Sequence, residues 1–194
     1  SSYVAKCINA ESSEIIWTSG ASESNNLAIF GYISLHKRCG NHIITTRIEH
    51  SSVYKCFKEL ELEGYDVTYL DVDSKGHIDI NSLKKSIRDD TVLVSIMYVN
   101  NEIGSIQDIL NIGKVIKEKN KNTVFHVDAV QAFGKIKIDV KKSMIDMMSV
   151  SSHKFYGPKG CGFLYKNKNI RIKPLIIGGN QQNAMRPGTL NVPS

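Results

Sequence analysis

Seven short runs rich in β-branched and apolar residues recur along the chain, and helical patterns separate most of them. The runs are IIWT (15–18), HIITT (42–46), DVTYL (66–70), TVLVSIM (91–97), TVFHV (123–127), DMMSV (146–150) and GCGFLY (160–165). Segments 22–38, 51–63, 81–88 and 108–120 carry a helical period, the last with Ile109, Ile112 and Ile116 on one stripe. Near-continuous apolar strands alternating with helices predict an α/β fold: a mostly parallel sheet covered by helices on both faces. In such a sheet ligands bind beyond the carboxyl ends of the strands, so the residues just after each run are where chemistry is expected.

A length of 194 residues suits one domain, given the usual ~100–200 residues per domain. The chain is 41% hydrophobic and 23% charged, an ordinary globular balance. No apolar run approaches the ~18 residues of a membrane helix, and the start, SSYVAKCINAESSEIIW, lacks a basic region followed by an apolar block. Neither a membrane span nor a retained signal peptide is expected. The net charge of +6 comes from scattered lysines such as Lys84-Lys85 and Lys141-Lys142, without interleaved aromatics. They read as solvated faces, and no nucleic-acid partner is expected. Cys7, Cys39, Cys56 and Cys161 form no C-x-x-C pair, which argues against a zinc ribbon or a disulfide scaffold and for a reducing compartment. The first residue is not Met and the last four are Asn-Val-Pro-Ser, so the chain is expected to be a piece of something larger.

The strand ends are informative one by one. Run 15–18 leads through Ser19-Gly20-Ala21-Ser22 into a helix. Free N–H groups at that helix start, with the Ser22 hydroxyl, would cradle an anion such as a phosphate; a plain Ser N-cap reads the same residues. His50 follows 42–46, and Asn100-Asn101-Glu102 follow 91–97. Taken alone these also read as a structural histidine and a turn. Run 123–127 ends in Asp128, with Gln131 three residues on. A carboxylate at the end of a buried strand needs a positive partner, and a protonated ring nitrogen of a bound cofactor would serve. A metal site built from His126, Asp128, His50 and His153 lacks ligand spacing, and no metal is expected.

Run 146–150 is followed by Ser151-Ser152-His153-Lys154-Phe155-Tyr156-Gly157-Pro158-Lys159-Gly160. A lysine on a strand-end loop, held near cationic groups or desolvated, can form a Schiff base with an aldehyde. Such a lysine, an Asp for a pyridine nitrogen and an anion cradle are the set that pyridoxal phosphate demands.

The stretches TSGASESNNLAI (18–29), IEHSSV (48–53), VSIMYVNNEIGSIQDI (94–109), HVDAVQAFGKIKIDV (126–140), SSHKFYGPKGCGFLY (151–165) and MRPGTLNV (185–192) closely resemble the NifS/IscS-type cysteine desulfurases of the class V aminotransferase group. The resemblance covers nearly the whole chain, with the motifs in family order. It implies the large, cofactor-binding domain of a fold-type I pyridoxal phosphate-dependent transferase over residues 1–194, with a short N-terminal segment and a C-terminal small domain lying outside. It further implies that Lys154 is the Schiff-base lysine, that Asp128 pairs with the pyridine nitrogen, and that His50 stacks on the ring and acts as an acid or base near the substrate sulfur. Asn101 and Gln131 would bond the phenolic oxygen or steer the substrate. Ala21, Ser22, Ser151 and His153 would hold the phosphate, and Thr189 would reach the phosphate of the other subunit in a homodimer. Three residues depart from the family pattern: Ser22 where Thr is frequent, Ser152 where Gly is frequent, and Pro187 where Ser is frequent. Ser152 is expected to add a hydroxyl beside the phosphate.

The implied activity converts L-cysteine to L-alanine and an enzyme-bound persulfide, handed to an iron-sulfur scaffold protein in the mitochondrial matrix of a eukaryote or the cytoplasm of a bacterium. A selenocysteine lyase or other class V relative would keep the same pocket, and an inactive assembly subunit would keep the fold. The family's sulfur-accepting cysteine and the arginine for the substrate carboxylate have no counterpart among these residues. Cys161 stands where relatives carry an apolar residue, so packing is its expected role.

Overall fold

The computed structural model describes residues 1–191. Seven strands form one sheet: β1 (Ile15–Thr18), β2 (His42–Thr46), β3 (Asp66–Leu70), β4 (Thr91–Met97), β5 (Val124–Asp128), β6 (Met147–Ser151) and β7 (Gly162–Lys166). Their spatial order is β1-β7-β6-β5-β4-β2-β3. Strands β2 to β6 pair in parallel, whereas β7 is antiparallel to both of its neighbours, so all strands but β7 run the same way. The expected mostly parallel sheet is thus found.

Both faces are covered, and the alternation of side chains along each strand shows how. Ile44, Val94, Phe125 and Met148 enter one core with α1 (Ser2–Cys7), α4 (Ile80–Ser86) and α5 (Ile109–Lys119). Their chain neighbours Ile43, Leu93, Val124 and Met147 enter the other, with α2 (Ala21–His36) and α3 (Ser51–Leu62). A strand buried on both sides cannot show a polar alternation, which is why β4 reads as an unbroken apolar run. Asp79 and Asp108 cap α4 and α5 by accepting from first-turn backbone N–H groups.

Strands β5 and β6 each lie one residue beyond the range read from sequence. Thr123 spends its hydroxyl on the Thr91 carbonyl at 2.7 Å, and the Asp146 carboxylate accepts from the Phe125 N–H at 2.7 Å. These side chains do the pairing at the strand starts. At the far ends Asp128 is in register with Met97 and Ser149, and Ser151 with Gly162. The two residues that matter most after an apolar run are therefore held by the ladder itself. The short helix α1 had no periodic signal; Ala5 within it and Ile8 just after it anchor the N-terminal segment in the core. Among the described residues no helix is long and apolar enough to cross a membrane.

Candidate active site

A cavity of about 480 Å³ opens at the carboxyl edge of the sheet, and nine of the ten residues singled out from the sequence line it. Ala21 and Ser22 come from the start of α2, and His50 from the β2–α3 turn. Asn101 follows β4, Asp128 and Gln131 end and follow β5, and Ser151, His153 and Lys154 come from the end of β6. Because β7 runs backwards, its approach also reaches this edge, and Lys159 and Gly160 complete the wall. Thr189 lies elsewhere. It lines a neighbouring cavity of about 360 Å³ with Trp17 and Arg186, sharing only Ser19 and Gly160 with the first.

The floor is Asp128, 4% exposed. Its Oδ2 accepts from Asn25 Nδ2 at 3.0 Å and its Oδ1 from the Val130 N–H at 3.1 Å. Desolvation pushes its pKa up, and these two hydrogen bonds, with His50 nearby, only partly oppose the rise. None of the ion pairs among the described residues involves Asp128. A buried carboxylate held by neutral donors alone is relieved by a ligand cation, and a protonated pyridine nitrogen meets that demand.

The cradle is built on backbone. Gly20 is the N-cap of α2 at φ +152°, and no side chain caps the helix, so the first-turn N–H groups of this 16-residue helix have no side-chain acceptor. Ser22 lies one residue inside the helix, which removes its reading as the N-cap. A Cβ on Gly162 would stand 2.7 Å from Gly20 Cα, so only glycine lets β7 pass this close. Glu23 at the same helix start would repel an anion. Burial opposes its charge, but hydrogen bonds from Arg186 and Ser19 outweigh this and hold its pKa below the usual carboxylate range. Arg186 Nε lies 2.8 Å from Glu23 Oε1, so the negative charge is matched at its source. On the opposite wall Ser151 Oγ and His153 Nδ1 are 3.0 Å apart.

Lys154 rides on a 3-10 turn, Ser152–Phe155, that follows β6 directly. Phe155 pins the turn edge-on to Phe133, ring centroids 4.8 Å apart. Ser152 corrects an expectation: its hydroxyl does not face the cavity. It turns to the Pro158 carbonyl and to the Cys161 carbonyl at 2.9 Å, closing the loop that carries Lys154. The Cys161 carbonyl also accepts from the Ser152 backbone N–H at 3.1 Å, so the hydroxyl adds to a backbone tie already present at the strand end.

Sequence reading missed Asn25, Ser52 and Glu49. Glu49, 9% exposed, accepts through Oε1 from the Thr46 hydroxyl at 2.7 Å and from the Met97 N–H at 2.9 Å, tying the β2–α3 turn to β4. Asn100 reinforces the tie by donating to the Ile48 carbonyl at 2.9 Å. Among the described residues no cluster of three or more His, Cys, Asp or Glu side chains is arranged to hold a metal ion.

Fold and site together define an open α/β ligand-binding domain whose lysine, buried aspartate and helix start converge on one carboxyl-edge cavity. The profile of the family described as aminotransferase class-V matches residues 2–191, and the chain belongs to that family. It is 54% identical over 193 residues to the cysteine desulfurase IscS of Ehrlichia chaffeensis, covering 98% of this chain and 47% of that protein. It is 52% identical over 193 residues to the mitochondrial cysteine desulfurase of Candida albicans, covering 98% of this chain and 39% of that protein. The solved structure of a NifS-like protein superimposes with a TM-score of 0.95 at 45% identity, covering 98% of this chain and 52% of that one. The chain spans about half the length of the relatives it matches.

Proposed function

We propose that residues 1–194 are the cofactor-binding large domain of a pyridoxal phosphate-dependent cysteine desulfurase, which turns L-cysteine into L-alanine and leaves the sulfur as an enzyme-bound persulfide. One observation carries the reading: Asp128 is a buried carboxylate with neutral donors only, in the same cavity as Lys154. Pyridoxal phosphate, when bound, supplies an electron sink for the carbon bearing the substrate amine. Lys154 would hold its aldehyde covalently and, once the substrate amine takes that place, accept the α-proton at Nζ. Asp128 would keep the ring nitrogen protonated. His50 would lie against the ring and move a proton at the substrate sulfur, and Asn101 and Gln131 would meet the phenolic oxygen or the substrate. Ala21, Ser22, Ser151 and His153 would bind the phosphate, while Thr189, which lines the neighbouring cavity and not the one that holds Lys154, would serve the other subunit of a homodimer.

The relatives' names support the substrate, and we propose an iron-sulfur scaffold protein as the sulfur acceptor. We place the protein in a reducing compartment, the mitochondrial matrix in a eukaryote or the cytoplasm in a bacterium, in keeping with four unpaired cysteines among the described residues. The test is chemical. In the complete protein, borohydride should fix pyridoxal phosphate to Lys154, and Lys154→Ala should abolish the fixed adduct while circular dichroism stays that of the folded protein. An adduct retained on another lysine in that variant overturns the assignment.

A further inference from the structure

Asn25 is fully buried on α2, between the end of β5 and the start of α3. Its Nδ2 donates to Asp128 Oδ2 at 3.0 Å and to Ser52 Oγ at 2.9 Å, so both amide hydrogens are used. An ionised carboxylate can only accept, which fixes the amide with its nitrogen toward Asp128. Asn25 Oδ1 is buried and has no partner among the described residues, and the flipped amide would set this oxygen against the Asp128 carboxylate and draw the Ser52 hydrogen away from His50. Ser52 Oγ lies 2.8 Å from His50 Nδ1, and the Ser52 backbone N–H donates to that same nitrogen at 3.2 Å. A backbone N–H can only donate, so Nδ1 is the bare nitrogen of the ring. The Ser52 hydroxyl, already accepting from Asn25, therefore sends its own hydrogen to Nδ1.

Each donor in this set has one direction: Asn25 to Asp128 on one side, Asn25 to Ser52 to His50 on the other. We propose that Asn25 and Ser52 are positioning residues that join Asp128 to His50 in one directed hydrogen-bond chain and lock the imidazole in the tautomer that carries its hydrogen on Nε2. Asp128, His50 and Ser52 all line the cavity, whereas Asn25 does not, so the link between the carboxylate and the imidazole passes behind the wall at Asn25. It fixes the ring plane of His50 relative to the carboxylate, and it leaves Nε2 as the nitrogen free to exchange a hydrogen with a ligand. The functional meaning rests on the roles proposed above for Asp128 and His50; the tautomer itself does not.

The test uses the complete protein without added cofactor, labelled with 15N-histidine, and long-range 1H–15N correlations of His50. In the wild type and in Ser52→Thr, which keeps the hydroxyl, Nδ1 should show the unprotonated signature and Nε2 the protonated one. In Ser52→Ala, which keeps the backbone N–H at 3.2 Å and loses the shorter hydroxyl bond at 2.8 Å, and in Asn25→Ala if it folds, the Nδ1–H tautomer should rise above its wild-type share. A wild-type His50 with its hydrogen on Nδ1 overturns the proposal, as does a pattern that is the same in Ser52→Ala and Ser52→Thr. Should borohydride fix no cofactor on Lys154 while the tautomer behaves as stated, the proposed function falls and the hydrogen-bond chain stands.

Discussion

Two buried titratable groups beside the site are held in their neutral forms by the protein. Glu49 has its pKa pushed up to about 8, first by burial, with hydrogen bonds from Met97 and Thr46 opposing and the charge of Asp128 adding to the rise. His126, fully buried between Ser95 Oγ at 2.8 Å and Ser149 Oγ at 3.0 Å, has its pKa lowered by burial to about 3. The two act on stability in opposite senses. A carboxyl whose folded pKa is raised stabilises below its unfolded value of ~4.3, and that contribution is lost as pH rises towards the folded value. A histidine whose folded pKa is depressed gives stability present above ~6.5 and lost as pH falls. Urea unfolding of the protein without cofactor should therefore show a midpoint that declines between about pH 6.5 and pH 8, where His126 no longer titrates, in the wild type and declines less in Glu49→Gln. Parallel profiles would mean that Glu49 is ionised throughout. Lys154, Asp128 and His50 were legible in the sequence because each directly follows a recognisable strand. Asn25, Ser52 and Glu49 were not, because their meaning lies in partners far along the chain: Asn25 meets Asp128 across 103 residues. From the sequence Asn25 reads as one polar residue of a helix, and Ser52 as a first-turn serine.

At the level of elements, burial on both faces made the strands readable and hid how they begin and end. Hydrophobic content located β5 and β6 within one residue, but Thr123 and Asp146, polar side chains that satisfy backbone groups, decide where the ladder starts. Close approaches were equally hidden, and α5 gives a case with a sign to test. In an exposed helix Gly→Ala stabilises by roughly 1 kcal/mol. Gly113, however, faces the 143–144 segment, and a Cβ there would overlap the Ser143 carbonyl oxygen and stand 3.5 Å from Met144 Cβ. The obstacle is backbone, which cannot swing aside as a side-chain end can. Gly113→Ala should thus destabilise the protein by about 1–3 kcal/mol, read as a lowered urea midpoint with unchanged m-value. A midpoint equal to or above the wild type would show that the 143–144 turn yields without cost.

For the whole molecule, the strand order is what assembles the site, and no local pattern announces it. β1 lies at one edge and β7 is inserted between β1 and β6, which brings Gly20 against Gly162 and puts the start of α2 beside Ser151 and Lys154. The same arrangement fixes where the cysteines are. Cys7 and Cys39 are exposed, Cys56 and Cys161 are buried, and none of the four lines the cavity that holds Lys154. Burial raises the Cys56 thiol to about 11, well above the range of a nucleophilic thiolate at neutral pH. Its Sγ donates to the Ser52 carbonyl at 3.0 Å, a packing contact within α3. Cys161 looks into the neighbouring cavity with Trp17 and Thr189, and its carbonyl is occupied by Ser152. A desulfurase needs a thiolate that reaches the substrate sulfur over Lys154, and geometry denies this to all four. In the complete protein, replacing Cys7, Cys39, Cys56 and Cys161 together by Ser or Ala should leave alanine and persulfide formation from L-cysteine largely intact. Stability should fall by about 0.5–3 kcal/mol for each buried position. Alanine release and persulfide labelling are measured on variant and wild type side by side, after confirming that both hold the cofactor. A folded, cofactor-loaded quadruple variant that forms no persulfide would make one of these four the sulfur acceptor and would require the cavity to open towards it.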